Sequence, residues 1–220
     1  MICIALCTFA EPHVALLDEK GSIFSLGVHI DCAASIFALG QTPVGRGLTF
    51  AYQQAYYTHI GRQQLMERVL DVKDLEAVVF IDGDMAFSPQ DFEDLVHDGR
   101  MTGGMVGAFY PSRQKLGEVI GTVISDDPNA HQSPVPVECS YIGMGFTWVP
   151  AQLFRTFKKK PWVDVVNLGD GRWTLEDMYF SRKVREETPY KIWGRRFDGV
   201  SHAFNTRRSM DTMLVTGGGV

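Results

Sequence analysis

Five apolar residues, Ala77-Val78-Val79-Phe80-Ile81, run straight into Asp82-Gly83-Asp84, two carboxylates separated by one glycine. The run is short and rich in β-branched residues, the pattern of a strand buried on both faces of a parallel sheet. Carboxylates delivered to the end of such a strand are costly unless their charge is compensated. A divalent cation compensates it, because oxygen ligands suit Mg²⁺ and Mn²⁺. The C-terminal edge of an α/β sheet is also where ligands bind. Asp and Gly build ordinary turns as well, so the triplet gains meaning only from what accompanies it.

The elements around the triplet must do the positioning. Residues 2–6 read as a first core strand, 11–20 as a helix and 28–36 as a second strand. Gly40, Pro43, Gly45 and Gly47 mark a loop before Leu48. Residues 59–70 carry apolar side chains near helical spacing. Ser88-Pro89-Gln90-Asp91 is a helix start, with Ser as N-cap, Pro first and Asp in the first turn. Residues 101–108, 135–139 and 145–149 read as strands, 150–157 as a short helix and 174–187 as a longer one. Strands alternating with helices imply a mostly parallel sheet. The expected fold class is therefore α/β, one domain over residues 1–210, with 211–220 a frayed tail.

Composition bounds the rest. The 220 residues are 45% hydrophobic and 21% charged, which suits one globular domain with a sizeable core. No apolar run reaches the roughly 18 residues needed to cross a bilayer, and the first residues read as a strand rather than a leader. A cytoplasmic setting is expected, or a host's cytoplasm for a viral chain. Cys3, Cys7, Cys32 and Cys139 form no Cys-x-x-Cys pair, so reduced core thiols are expected rather than a zinc site. The net charge of −5 is uneven: residues 1–154 carry −10 and residues 155–208 carry +6. A solvated basic face or a phosphate-bearing partner would each account for the positive half.

Several segments resemble, in order, small GT-A enzymes of the glycosyltransferase family 2 type, many of them bacterial or phage-encoded. Asp82-Gly83-Asp84 resembles their Asp-x-Asp signature. Ile60-Gly61-Arg62-Gln63-Gln64-Leu65 resembles "R-A-R-N-x-L", with Gln63 in the place of Asn. Gly107-Ala108-Phe109-Tyr110-Pro111-Ser112-Arg113 is similar to "G-x-Y-P-x-R", and Gly143-Met144-Gly145-Phe146 to "G-x-G-F". Glu176-Asp177-Met178-Tyr179-Phe180 matches "E-D-x-x-F". Tyr190-Lys191-Ile192-Trp193 resembles "G-Y-K-I-W" without its glycine, and Ser201-His202 the late "x-H".

The resemblance implies a Rossmann-like GT-A fold and inverting transfer of a sugar from a nucleotide-diphosphate sugar, a UDP-sugar first, to an acceptor hydroxyl. It implies Asp82, Asp84 and His202 around a divalent metal (Mn²⁺ or Mg²⁺), Asp82 also touching ribose or a metal-bound water. Asp177 would be the general base, with Glu176 beside it either touching the acceptor or supporting the residues that do. Thr8 and Phe9, after the first strand, would meet the base; Arg62 and Arg113 would contact nucleotide, phosphate or acceptor. Gly143 and Gly145 would let backbone approach a sugar ring, and Trp148 and Trp162 would either floor the sugar or fill the core.

Each residue also has a plainer reading. His202 would be a satisfied histidine, Phe9 packing, the arginines surface charges, and Glu176-Asp177 a helix start capped by Thr174. The acceptor stays open among glycan, protein, lipid and modified DNA. A nucleotidyltransferase is the enzymatic rival, though it would want a Gly-rich basic loop where Thr8-Phe9-Ala10-Glu11-Pro12 stands. An inert nucleotide- or sugar-binding protein is the other.

Overall fold

A computed structural model describes residues 1–9, 15–17, 23–25, 28–55, 57–111, 119–124, 127–157, 160–167, 169 and 173–202, with backbone alone for 7–9, 15–17, 23–25, 54 and 55. In chain order the elements are β1 (Ile2–Phe9), β2 (Ala15–Leu17), β3 (Ile23–Ser25), α1 (Ile30–Gly40), β4 (Leu48–Ala55), α2 (Thr58–Val69), β5 (Ala77–Asp82), β6 (Met85–Ala86) and α3 (Pro89–Thr102). Then come β7 (Met105–Pro111), β8 (Val119–Ile120), β9 (Thr122–Val123), β10 (Val137–Tyr141), β11 (Phe146–Pro150), α4 (Ala151–Thr156), α5 (Glu176–Glu187), β12 (Ile192–Arg196) and β13 (Ser201–His202).

The central sheet has the order β4-β1-β5-β11-β7-β12-β10-β9, with β8 paired to β7. Strands β4, β1, β5, β7 and β12 all run the same way, while β11 runs against its neighbours β5 and β7. This is a single α/β domain: a mostly parallel, Rossmann-like sheet flanked by helices.

The unbroken apolar run of β5 is explained by its position in this sheet. All six of its residues are buried. Val78 and Phe80 point into a core with Leu65 and Met66 of α2, Phe154 of α4 and Phe180 of α5. Ala77, Val79 and Ile81 point to the opposite face, against Cys32 and Leu39 of α1 and Phe92 and Leu95 of α3. Two-residue periodicity thus splits one strand between two cores, so neither face tolerates a polar residue until the strand ends at Asp82.

The expected start of α3 holds. Ser88 Oγ accepts the Asp91 N–H, and Asp91 Oδ2 accepts the Ser88 N–H at 2.8 Å, a reciprocal capping box. The helix stops at Gly103, whose φ of 64° is left-handed. Other boundaries differ from expectation. Residues 28–36 are not a strand: α1 begins at Ile30 and buries Cys32, Ser35 and Leu39 at helical spacing, and His29 Nδ1 accepts the Asp31 N–H as its cap. Within 11–20, the described residues Ala15–Leu17 form a strand paired antiparallel with Ile23–Ser25, not a helix. The strand expected from residue 101 starts only at Met105, because α3 continues through Thr102.

Candidate functional site

Four chain segments meet beyond the C-terminal ends of β5 and β7. The first is the turn Asp82-Gly83-Asp84, where both carboxylates are buried, 8% and 6% exposed. Its geometry is set from two sides: the Asp82 N–H donates to Gly145 O at 2.9 Å, and the His29 N–H donates to Gly83 O at 2.6 Å. Cys32 of α1 also sits here, its Sγ 3.6 Å from Asp82 O. Burial, then the charges of Asp84 and Asp82, push that thiol up to about 12, so it stays protonated.

The second segment is β13. It pairs antiparallel with β6, His202 opposite Met85, the residue after Asp84. His202 is buried, and its Nδ1 lies 3.0 Å from Pro111 O at the end of β7. A carbonyl can only accept, so Nδ1 carries a proton in this contact, which leaves Nε2 as the ring nitrogen able to bind a metal ion. The Tyr110 ring stands edge-on to the imidazole, centroids 4.9 Å apart at 79°, which fixes the ring plane.

Arg62 of α2 is the third. It is 2% exposed. Its guanidinium donates to Asp82 Oδ1 at 2.6 Å and to Glu176 Oε1 at 2.9 Å. One cation thus joins the strand-end acid to the acid that opens α5, a use of the planar fork that lysine cannot copy. The arginine expected to greet a ligand is instead held between two of the acids expected to do so.

The fourth is the start of α5. Asp177 Oδ2 accepts the Tyr141 hydroxyl at 2.9 Å, and Oδ1 accepts the Met178 N–H at 2.8 Å. Loss of hydration and the neighbouring Glu176 charge raise the Asp177 carboxyl to about 6, against the opposing pull of Arg62 and these two hydrogen bonds. The Thr174 cap is not formed. Leu175 occupies the N-cap position, and Thr174 Oγ1 instead serves the Val166 backbone, accepting its N–H at 3.0 Å.

The two glycines make room for protein. A methyl on Gly143 would stand 2.5 Å from Tyr110 Oη, and one on Gly145 would stand 2.7 Å from the same atom and 3.2 Å from Asp82 Oδ2. Gly145 N–H donates to Tyr110 Oη at 3.0 Å. The space expected for a sugar ring at these positions is filled by the tyrosine. Trp148 and Trp162 do not floor a sugar either: Trp148 is buried against Gly99, and Trp162 packs edge-on to Phe154 in the core.

The structure therefore brings together Asp82, Asp84, His202, Arg62, Glu176, Asp177, Gly143 and Gly145. Thr8 and Phe9 end β1, whose Cys7 is in register with Asp82, but their side chains lie outside the described residues. Arg113 and the tail from residue 203 lie outside them entirely, as do Lys158 and Lys159 of the basic half. Among the described residues, no group of three or more His, Cys, Asp or Glu stands close enough to hold a metal ion, and no helix is long and apolar enough to cross a membrane. Tyr110, Tyr141 and His29 carry no role in the sequence reading. Of the three, Tyr110 alone falls inside a matched segment, and Tyr141 stands two residues before one.

In sequence, no protein family and no curated protein matches the chain. Solved structures do. A197 from STIV matches with a TM-score of 0.57 at 14% identity, covering 89% of this chain and 82% of its own. UDP-glucose pyrophosphorylase from Acinetobacter baumannii matches at 0.45 and 12%, covering 72% of this chain and 55% of its own. The UTP-bound enzyme from that source gives 0.45 and 11%, covering 70% and 53%. This chain spans about half the length of those pyrophosphorylases. At such identities, the likeness to A197 shows a shared fold.

Proposed function

We propose that the chain is a metal-dependent glycosyltransferase of the GT-A type, moving a sugar from a nucleotide-diphosphate sugar, a UDP-sugar first, to an acceptor hydroxyl with inversion. The observation that carries the reading is the β6–β13 pairing. It sets His202, from the far end of the chain, opposite the residue that follows Asp84, on the same side of the molecule as a partly dehydrated carboxylate, Asp177.

Asp84 and His202 fit a divalent ion as two protein ligands, one a hard oxygen donor and one an imidazole oriented by a carbonyl. Asp82 Oδ1 is already engaged by Arg62, so the remaining positions suit donor phosphate oxygens and water. When bound, such an ion acts as a Lewis acid on the departing diphosphate. Arg62 offsets the charge of Asp82 and Glu176 so that an anionic donor can approach two acids. Asp82 holds the nucleotide side and Glu176 the acceptor side of that bridge. Asp177 takes the acceptor hydroxyl's proton as its oxygen bonds to the anomeric carbon and the nucleoside diphosphate leaves. A carboxyl near 6 is ionised at neutral pH and more basic than an ordinary aspartate, which suits a general base.

The test is product identity. With Mn²⁺ and a panel of UDP-sugars, slow release of UDP without added acceptor is expected. Pyrophosphate released from UTP and a sugar phosphate, with no UDP from any donor, would replace this reading with nucleotidyl transfer.

A further inference from the structure

Tyr141 is the last residue of β10, and its ring is largely covered while its hydroxyl reaches the first turn of α5. The two hydrogen bonds on Asp177 differ in kind. The Met178 N–H belongs to the same turn and comes with the helix. The Tyr141 hydroxyl comes from another element, 36 residues away, and depends on how α5 packs on the sheet. Around it, Ser181 Oγ lies 3.4 Å from both the N–H and the carbonyl of Ile142, pinning α5 to the residue that follows Tyr141. The donor and the carboxylate are thus held on two elements that are tied together one turn further along the helix.

We propose that Tyr141 is a positioning residue for Asp177: it fixes which carboxylate oxygen faces the acceptor and holds the ionised form ready to take a proton. The catalytic part of this statement rests on the glycosyl-transfer reading, but the effect on Asp177 does not. An aspartate at the end of a short side chain can rotate about its terminal torsion. With Met178 N–H on Oδ1 and Tyr141 O–H on Oδ2, the plane of the carboxylate is set. Both bonds stabilise the charged form. The other groups facing Asp177 are Glu176 on its own helix, whose charge opposes ionisation, and Arg62 on α2, whose charge favours it. The Asp177 charge also reaches Tyr110 of β7. Tyr141 is itself kept protonated, by burial and then by the Asp177 charge, so it remains a donor throughout the neutral range.

The sign follows. Removing a donor from an ionised carboxylate makes ionisation harder, so the Asp177 titration moves to higher pH. Tyr141→Phe keeps the ring and removes only the hydroxyl. Losing a hydrogen bond to a charged group corresponds to an upward shift of about one to two pH units. The experiment follows the Asp177 carboxyl carbon by NMR through a pH titration of the wild type and of Tyr141→Phe, with no donor or acceptor present, alongside the pH dependence of kcat. The wild-type midpoint is expected near 6, with the variant higher and the acidic limb of kcat moving with it. If Tyr141→Phe melts too low to titrate, 3-fluorotyrosine at position 141 keeps the ring and strengthens the donor, and it is expected to move the midpoint down. A midpoint unchanged by either substitution overturns the proposal. A midpoint that moves while the acidic limb of kcat stays fixed removes Asp177 as the base and leaves Tyr141 as the group that orients it.

Discussion

Arg62 is the residue on which the acids of the site depend. Asp82 and Glu176 come from different elements, and each accepts a hydrogen bond at one oxygen from the same buried guanidinium. Removing one partner of a buried pair leaves the other charge uncompensated, which costs far more than the pair gains over an apolar equivalent. Arg62→Ala is therefore expected to lower unfolding free energy by about 3–5 kcal/mol in urea denaturation. Arg62→Lys should recover only part of this, because an ammonium cannot span both carboxylates with a planar fork. A loss below about 1 kcal/mol would mean the bridge is solvated and works as a surface pair. The sequence placed Arg62 at the site but not in this role. Its partners lie 20 and 114 residues away, and nothing in local spacing encodes such a meeting. The same holds for Tyr141, whose partner is fixed by how α5 lies on the sheet.

Among the elements, β7 and the turn into β11 are fitted to each other through Tyr110 and the glycines opposite it. Gly145→Ala is expected to destabilise the fold by about 1–3 kcal/mol, the usual cost of an added methyl in a packed interior, since Tyr110 Oη lies in its path at 2.7 Å. Tyr110→Phe should restore part of that loss when combined with Gly145→Ala, giving a coupling energy in a double-mutant cycle. Strictly additive losses would contradict the fit. Elements with a strong local signature were legible: β5 from its apolar run, α3 from Ser88-Pro89-Gln90-Asp91, α2 from its spacing. Residues 28–36 misled because Val28, Ile30 and Ile36 read as β-formers, whereas the inward set Cys32, Ser35 and Leu39 follows the helical period. The Thr174 cap failed for a different reason: its hydroxyl was claimed by the Val166 backbone across a connection that local pattern does not reveal.

At the scale of the whole molecule, the uneven charge has an internal explanation. Cations of the basic half meet carboxylates of the acidic half: Arg195 with Asp94 and Asp98, Lys160 with Glu67, Lys191 with Glu138. This pairing uses up part of the positive patch. The pairs should not be equal in strength. Arg195 is 18% exposed and reaches two acids, whereas Lys191 is 58% exposed. Arg195→Ala should therefore cost about 3 kcal/mol or more, and Lys191→Ala about 1 kcal/mol at most, by equilibrium unfolding. Equal losses would mean that Arg195 is as well hydrated as Lys191. The doubly covered sheet was legible from the alternation of strands and helices. The β6–β13 pairing was not, because two-residue strands carry no periodicity; only the order of matched motifs placed His202 near Asp84.

In the proposed reaction Asp84 serves donor binding and Asp177 proton transfer, a division of labour that one comparison tests. UDP-sugar binding in Mn²⁺ is measured by calorimetry, and sugar transfer by product formation, for the wild type, Asp84→Ala and Asp177→Asn, each checked for an intact fold by its melting curve. Asp84→Ala should lose metal-dependent donor binding. Asp177→Asn should keep it while transfer falls by about 10²–10⁴-fold, the scale of a lost general base. Unchanged Mn²⁺-dependent binding in Asp84→Ala, or transfer near the wild-type rate in Asp177→Asn, would contradict it.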